Sequence, residues 1–142
     1  EAGLADVHAE SLYRRCIDPA EWVLYPDTVP VLNDLRDRGI RTAVVSNIAW
    51  DIRTVLAPAG AHTDAVVLSF EAGVAKPDRQ IFEVALDRLG VDAADAVMVG
   101  DSEENDGAAR EVGCGFVLVD PLPIAQRPTG LRDGLRRAGM PL

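Results

Sequence analysis

The chain has 142 residues, 48% of them apolar and 26% charged, enough for one domain with a sizeable core and too apolar for a disordered tail. Its 14 Lys and Arg against 23 Asp and Glu give a formal charge of −9. No basic stripe is present, which argues against a nucleic-acid partner. No apolar run approaches the roughly 20 residues a bilayer span needs, so no membrane partner is expected. Cys16 and Cys114 lack metal-ligand spacing and fit small apolar residues in a reducing cytoplasm rather than a disulfide framework. No signal peptide is read. The sequence opens on Glu1 and runs straight into a helical pattern, so a natural start is expected upstream.

Residues 2–15 place Leu4, Val7 and Leu12 at helical spacing. A connector follows from Ile17 to Tyr25, and Asp27 or Thr28 then caps a predicted helix that runs to Arg38 and stops at Gly39. From there the rhythm is regular. Predicted strands at 41–45, 65–69, 96–99 and 116–119 alternate with predicted helices at 51–59, 78–89 and 103–112. The helix at 78–89 has the clearest pattern, with Ile81, Phe82, Ala85, Leu86 and Leu89 on one face and Gly90 after it. A Pro-rich connector (Pro121, Pro123, Pro128) leads to a short helix around Leu131 and Leu135. Short apolar strands alternating with helices predict an α/β, doubly wound parallel sheet covered on both faces. We divide the chain into an N-terminal segment 1–25, an α/β core 26–120 and a C-terminal connector and helix 121–142.

In such sheets ligands bind outside the carboxyl ends of the strands. Those ends carry Ser46 and Asn47 after AVV, Lys76 before Pro77 in the loop after the next strand, and Asp101 after AVMVG, with Asp106 five residues on. A hydroxyl and backbone amides donate to phosphoryl oxygens, a lysine offsets the charge on a transferring group, and carboxylates hold Mg²⁺. The expected phosphate binders are therefore Ser46, Asn47 and Lys76, with Ser46 and Lys76 catalytic; Asp101 and Asp106 are the expected metal residues. Ser102 and Asn105 read as turn residues. Trp50 reads as a half-buried side chain packing on the helix that follows it, and Arg132, Arg136 and Arg137 as a solvated helix face.

With these motifs (SN at 46–47, GVAKPD around Lys76, VGDSEEND around Asp101 and Asp106) the chain resembles the haloacid-dehalogenase superfamily of hydrolases over roughly residues 25–120. The GDSxxND form resembles its phosphatase branch. The resemblance implies a Mg²⁺-dependent attack by an aspartate on a small phosphorylated metabolite, through an aspartyl-phosphate that water hydrolyses. It also implies a first strand ending in Asp-x-Asp at the middle of the sheet. No such pattern precedes Ser46: Asp27 is followed by Val29 at the +2 position and enters a helix. Residues 1–25 then resemble the end of an inserted helical cap, and the chain alone is expected to be inactive. The strands ending at Val45 and Val99, which would flank that first strand, are expected either to pair with each other or to keep open edges. Two other classes remain in view. One is a non-catalytic phosphate-binding or interaction module on the same scaffold. The other, a phosphoacceptor receiver domain, lacks its acidic pair and acceptor aspartate here.

Overall fold

The structure, a computed structural model, describes residues 6–140 and Leu142. The first predicted helix appears as α1 (Asp6–Ile17); its expected residues 2–5, Leu4 among them, lie outside the described residues. A 3-10 turn at Pro19–Glu21 follows, held by the Asp18 carboxylate, which accepts from the Ala20 amide. Then come α2 (Thr28–Asp37), β1 (Ala43–Ser46), α3 (Arg53–Leu56), β2 (Ala65–Leu68), α4 (Ser69–Ala72), α5 (Arg79–Leu89), β3 (Val97–Gly100), β4 (Gly115–Leu118) and α6 (Gly130–Arg137). The α/β alternation is the expected one.

The four strands form two parallel pairs: β1 with β2, in register from Ala43 opposite Ala65 to Ser46 opposite Leu68, and β3 with β4, from Val97 opposite Gly115 to Gly100 opposite Leu118. Of the two expected outcomes for β1 and β3, the structure takes the second. They do not pair with each other, and each keeps one edge without a strand neighbour among the described residues. All four residues of β1 and all four of β3 are only half-buried.

Two apolar clusters hold the pairs in one layer. On one face α5 brings Ile81, Phe82 and Ala85 against Val67 of β2, Val45 of β1 and Met98 of β3, together with Ala108 and Ala109. Burying side chains of the Ile81 and Phe82 size stabilises by about 2–3 kcal/mol each. On the other face Val31 and Leu35 of α2 and Leu135 of α6 meet Val97 and Val99 of β3. Met98 and its two neighbours thus point to opposite sides, the two-residue period of a strand covered by helices on both faces.

Element lengths depart from expectation at two helices, each for a local reason. The predicted helix 51–59 shortens to α3 (Arg53–Leu56); Pro58 has no backbone N–H with which to continue the ladder. The predicted helix 103–112 becomes a 3-10 segment, Gly107–Val112. Its first turn is taken apart by side chains: the Ser102 hydroxyl accepts from the Asn105 amide at 3.0 Å, and the Asp106 carboxylate accepts from the Ser102 amide at 3.0 Å. Such local bonds compete with helix. By contrast α5 begins and ends as read, with the Asp78 carboxylate accepting from the Gln80 amide and Gly90 in the left-handed region at φ 61°.

Asp27 corrects its expected role. It stands at the start of α2 but makes no side-chain bond to that helix. Buried to 5% exposure, its Oδ2 instead accepts from the Arg132 amide in the first turn of α6, across 105 positions of sequence. Arg132 also donates to Asp34 at 2.7 Å, and Arg137 donates to the Leu118 carbonyl. Of the arginines expected on a solvated face, Arg132 thus ties α6 to α2, while Arg136 and Arg137 are exposed, Arg137 reaching back to β4.

Candidate active site

The loops that leave the carboxyl ends of β1, β2 and β3 converge, and Lys76 is the point where they meet. Its ammonium, 12% exposed, donates to the Val45 carbonyl at 3.0 Å and to Asp106 Oδ1 at 2.6 Å. Two of its three donors are thereby held. One is left for an acceptor at the rim.

Asn47 does something other than expected. Its side-chain amide is spent on the backbone of Lys76: Nδ2 donates to the Lys76 carbonyl and Oδ1 accepts from the Lys76 amide, both at 2.8 Å. Asn47 therefore positions the lysine, using one of the two N–H donors of its amide. Ser69, a residue the sequence reading did not single out, steadies the same loop by accepting from the Ile48 amide at 2.9 Å and donating to the Ile48 carbonyl at 3.1 Å. Ser46 closes β1 directly after Val45, whose carbonyl Lys76 grips, and no hydrogen bond joins its hydroxyl to another described residue.

Asp106 is buried, at 5% side-chain exposure. Both its oxygens are engaged by protein donors, Oδ1 by Lys76 and Oδ2 by the Ser102 amide. It lies directly against Gly100, where any Cβ would fall on its carboxylate; only glycine fits there. The geometry gives Asp106 the part of a partner to Lys76. Asp101 differs: it is exposed at the end of β3, and no hydrogen bond joins its carboxylate to another described residue. Among the described residues no three His, Cys, Asp or Glu side chains gather as a metal-holding group. Ser102 and Asn105 build the turn, as read; a second bond, from Asn105 Nδ2 to the Ser102 hydroxyl at 3.1 Å, closes it.

The flank is set by ionic and aromatic contacts. Arg53 on α3 donates to both oxygens of Glu71 on α4, at 2.7 and 2.8 Å. Hydrogen bonding by the guanidinium holds the Glu71 carboxyl below the usual range, and the same bond raises the Arg53 guanidinium. Trp50 stacks on Trp22 with ring centroids 5.1 Å apart and planes tilted by 57°, a neighbour its expected packing on the following helix did not include. Burial pushes the Cys114 thiol up. An open groove of about 550 Å³, lined by Asn47, Ile48, Phe70 and Val74 among others, lies beside the Asn47 loop.

The family model for haloacid dehalogenase-like hydrolases matches residues 1–113. Among curated relatives, haloacid dehalogenase-like hydrolase domain-containing protein 3 of Bos taurus is 35% identical over 133 residues, 87% of this chain and 53% of the relative. Phosphoserine phosphatase of Thermus thermophilus is 36% identical over 116 residues, 79% of this chain and 45% of that protein. The chain spans about half the length of these relatives. A crystal structure of a HAD phosphatase from Thermococcus onnurineus superposes with a TM-score of 0.68 at 34% identity, covering 83% of this chain and 54% of the other. With a lysine held between the end of β1 and a buried aspartate beyond β3, and a family model that matches residues 1–113, the chain belongs to the haloacid dehalogenase-like hydrolases.

Proposed function

We propose that this chain is part of a Mg²⁺-dependent phosphatase acting on small phosphorylated metabolites. The observation that carries the reading is the Lys76 ammonium, bound to Val45 and Asp106 with one donor left at the rim beside Ser46. A fixed cation there stabilises the charge that gathers on phosphoryl oxygens during transfer, and it needs no reorganisation at that moment. The Ser46 hydroxyl donates to a second oxygen of the same group.

Asp101, exposed at the end of β3, fits one ligand position for Mg²⁺, which is commonly held through one or two carboxylates together with substrate phosphate. When bound, the ion polarises a phosphoryl oxygen. Asp106 serves the site indirectly by holding Lys76 in place. The family resemblance places the attacking carboxylate in an Asp-x-Asp at the end of a first strand, a pattern that does not precede Ser46 in these 142 residues. The attacking aspartate of the aspartyl-phosphate route then lies outside them, and the chain by itself is inactive. Relatives named as phosphoserine phosphatase and ribulose-1,5-bisphosphate 5-phosphatase support the reaction class without choosing the substrate.

The test uses p-nitrophenyl phosphate with Mg²⁺. The 142-residue chain is expected to show no turnover above background, while a longer protein that carries it turns over and loses about 10²–10³-fold in kcat on Lys76→Ala. Turnover by the short chain that Asp101→Asn abolishes would contradict the account. A longer protein that binds phosphate but never hydrolyses the ester would favour the binding-module reading instead.

A further inference from the structure

We infer that the Arg53–Glu71 ion pair is a positioning device for Lys76: it holds the loop that presents the ammonium, and it acts on phosphoryl transfer through that lysine alone. The inference rests on the reading above, in which Lys76 meets a phosphoryl oxygen. Lys76 sits on a segment with little core of its own. Leu68 before it and Ile81 after it are fully buried, yet no residue from Ser69 to Gln80 is buried. Ala72 and Val74 only lean on the cluster around α5. α4, four residues long and capped by Gly73 at φ 72°, is too short to hold itself together. Polar bonds to its neighbours set its position.

Those bonds form rungs between the stretch after β1 and the segment 69–76. Asn47 grips the Lys76 backbone with two hydrogen bonds, and Ser69 brackets Ile48 with two more. Arg53 makes the next rung, with Nη1 and Nη2 donating to the two oxygens of Glu71. Paired bonds of this kind fix orientation as well as distance. Arg53 is itself anchored. Asp51 Oδ1 accepts from its amide and from Nη1, both at 3.0 Å, and the Val66 carbonyl of β2 accepts from Nη2 at 3.4 Å. The rung therefore carries the position of β2 to α4, five residues ahead of Lys76. Among the described residues the Glu71 carboxylate bonds to Arg53 alone. The two side chains are 39% and 32% exposed, so the pair adds little to global stability. Its worth lies in aim.

The test is a double-mutant cycle in the longer protein, with p-nitrophenyl phosphate and Mg²⁺. Glu71→Ala is expected to lower kcat about tenfold, because small misplacement of a catalytic group is costly. Its melting midpoint should stay within about 2 °C of the parent, as for an exposed pair. In a Lys76→Ala background the same change should lower kcat by less than about twofold, since the group it aims is gone. Arg53→Lys, which keeps the charge and loses the fork, should repeat the pattern. Amide exchange across residues 73–77 should rise about threefold in Glu71→Ala while α5 stays unchanged. An equal loss of kcat in both backgrounds, no loss in either, or unaltered exchange at 73–77 overturns the inference. A parent protein without turnover would fail the phosphatase reading instead, and the exchange result would still decide whether the rung holds the Lys76 loop.

Discussion

Replacing Asp106 with alanine is expected to destabilise the chain by about 3 kcal/mol, the scale of leaving one member of a buried ion pair alone. The Lys76 ammonium would keep only the Val45 carbonyl while remaining 12% exposed. The Ser102 amide would also lose its acceptor, and with it the bond that shapes the turn after β3. Denaturant unfolding checks this through a lowered midpoint with an unchanged slope. Pairing the change with Lys76→Met should recover most of the loss, because the cost lies in the orphaned charge rather than in the missing attraction. A single variant within about 1 kcal/mol of the parent would place the ion pair in the solvated class instead.

Gly100→Ala is the second large effect, and it acts without touching a charge. The new methyl group would fall on the Asp106 carboxylate. Asp106 is short, buried and bonded at both oxygens, so it has nowhere to retreat. Overpacking of this kind costs about 2 kcal/mol. Because the displaced carboxylate is the one that holds Lys76, the longer protein should lose kcat along with stability. A melting transition and a kcat both equal to those of the parent would show that Asp106 is not pinned where the structure has it.

Much of this was legible in the residues, for identifiable reasons. Asp78 and Gly90 announce both ends of α5 because capping and left-handed backbone are local requirements. The parallel strands were legible because their apolar runs need no long-range information. The convergence of Lys76 with Asp106 rested on the order and spacing of the motifs. What escaped the reading was which side chains pair with which, mostly across long stretches of sequence. Asn47 reads as one more polar strand-end residue until the loop 29 positions on delivers the Lys76 backbone to its amide. Asp27 looks like a cap for its own helix until α6 arrives to claim its carboxylate. The segment 103–106 has helical composition, but Ser102, Asn105 and Asp106 bond one another and the nearby amides first.

The most direct test of the central claim, that Lys76 is clamped by Asn47, Val45 and Asp106 to meet a phosphoryl oxygen, is a crystal structure of the chain grown with magnesium and orthophosphate. The account predicts phosphate bonded by both the Lys76 ammonium and the Ser46 hydroxyl, with the Lys76–Asp106 pair intact behind it. Phosphate bound elsewhere, or a Lys76 side chain turned away from Asp106 towards solvent, would contradict it.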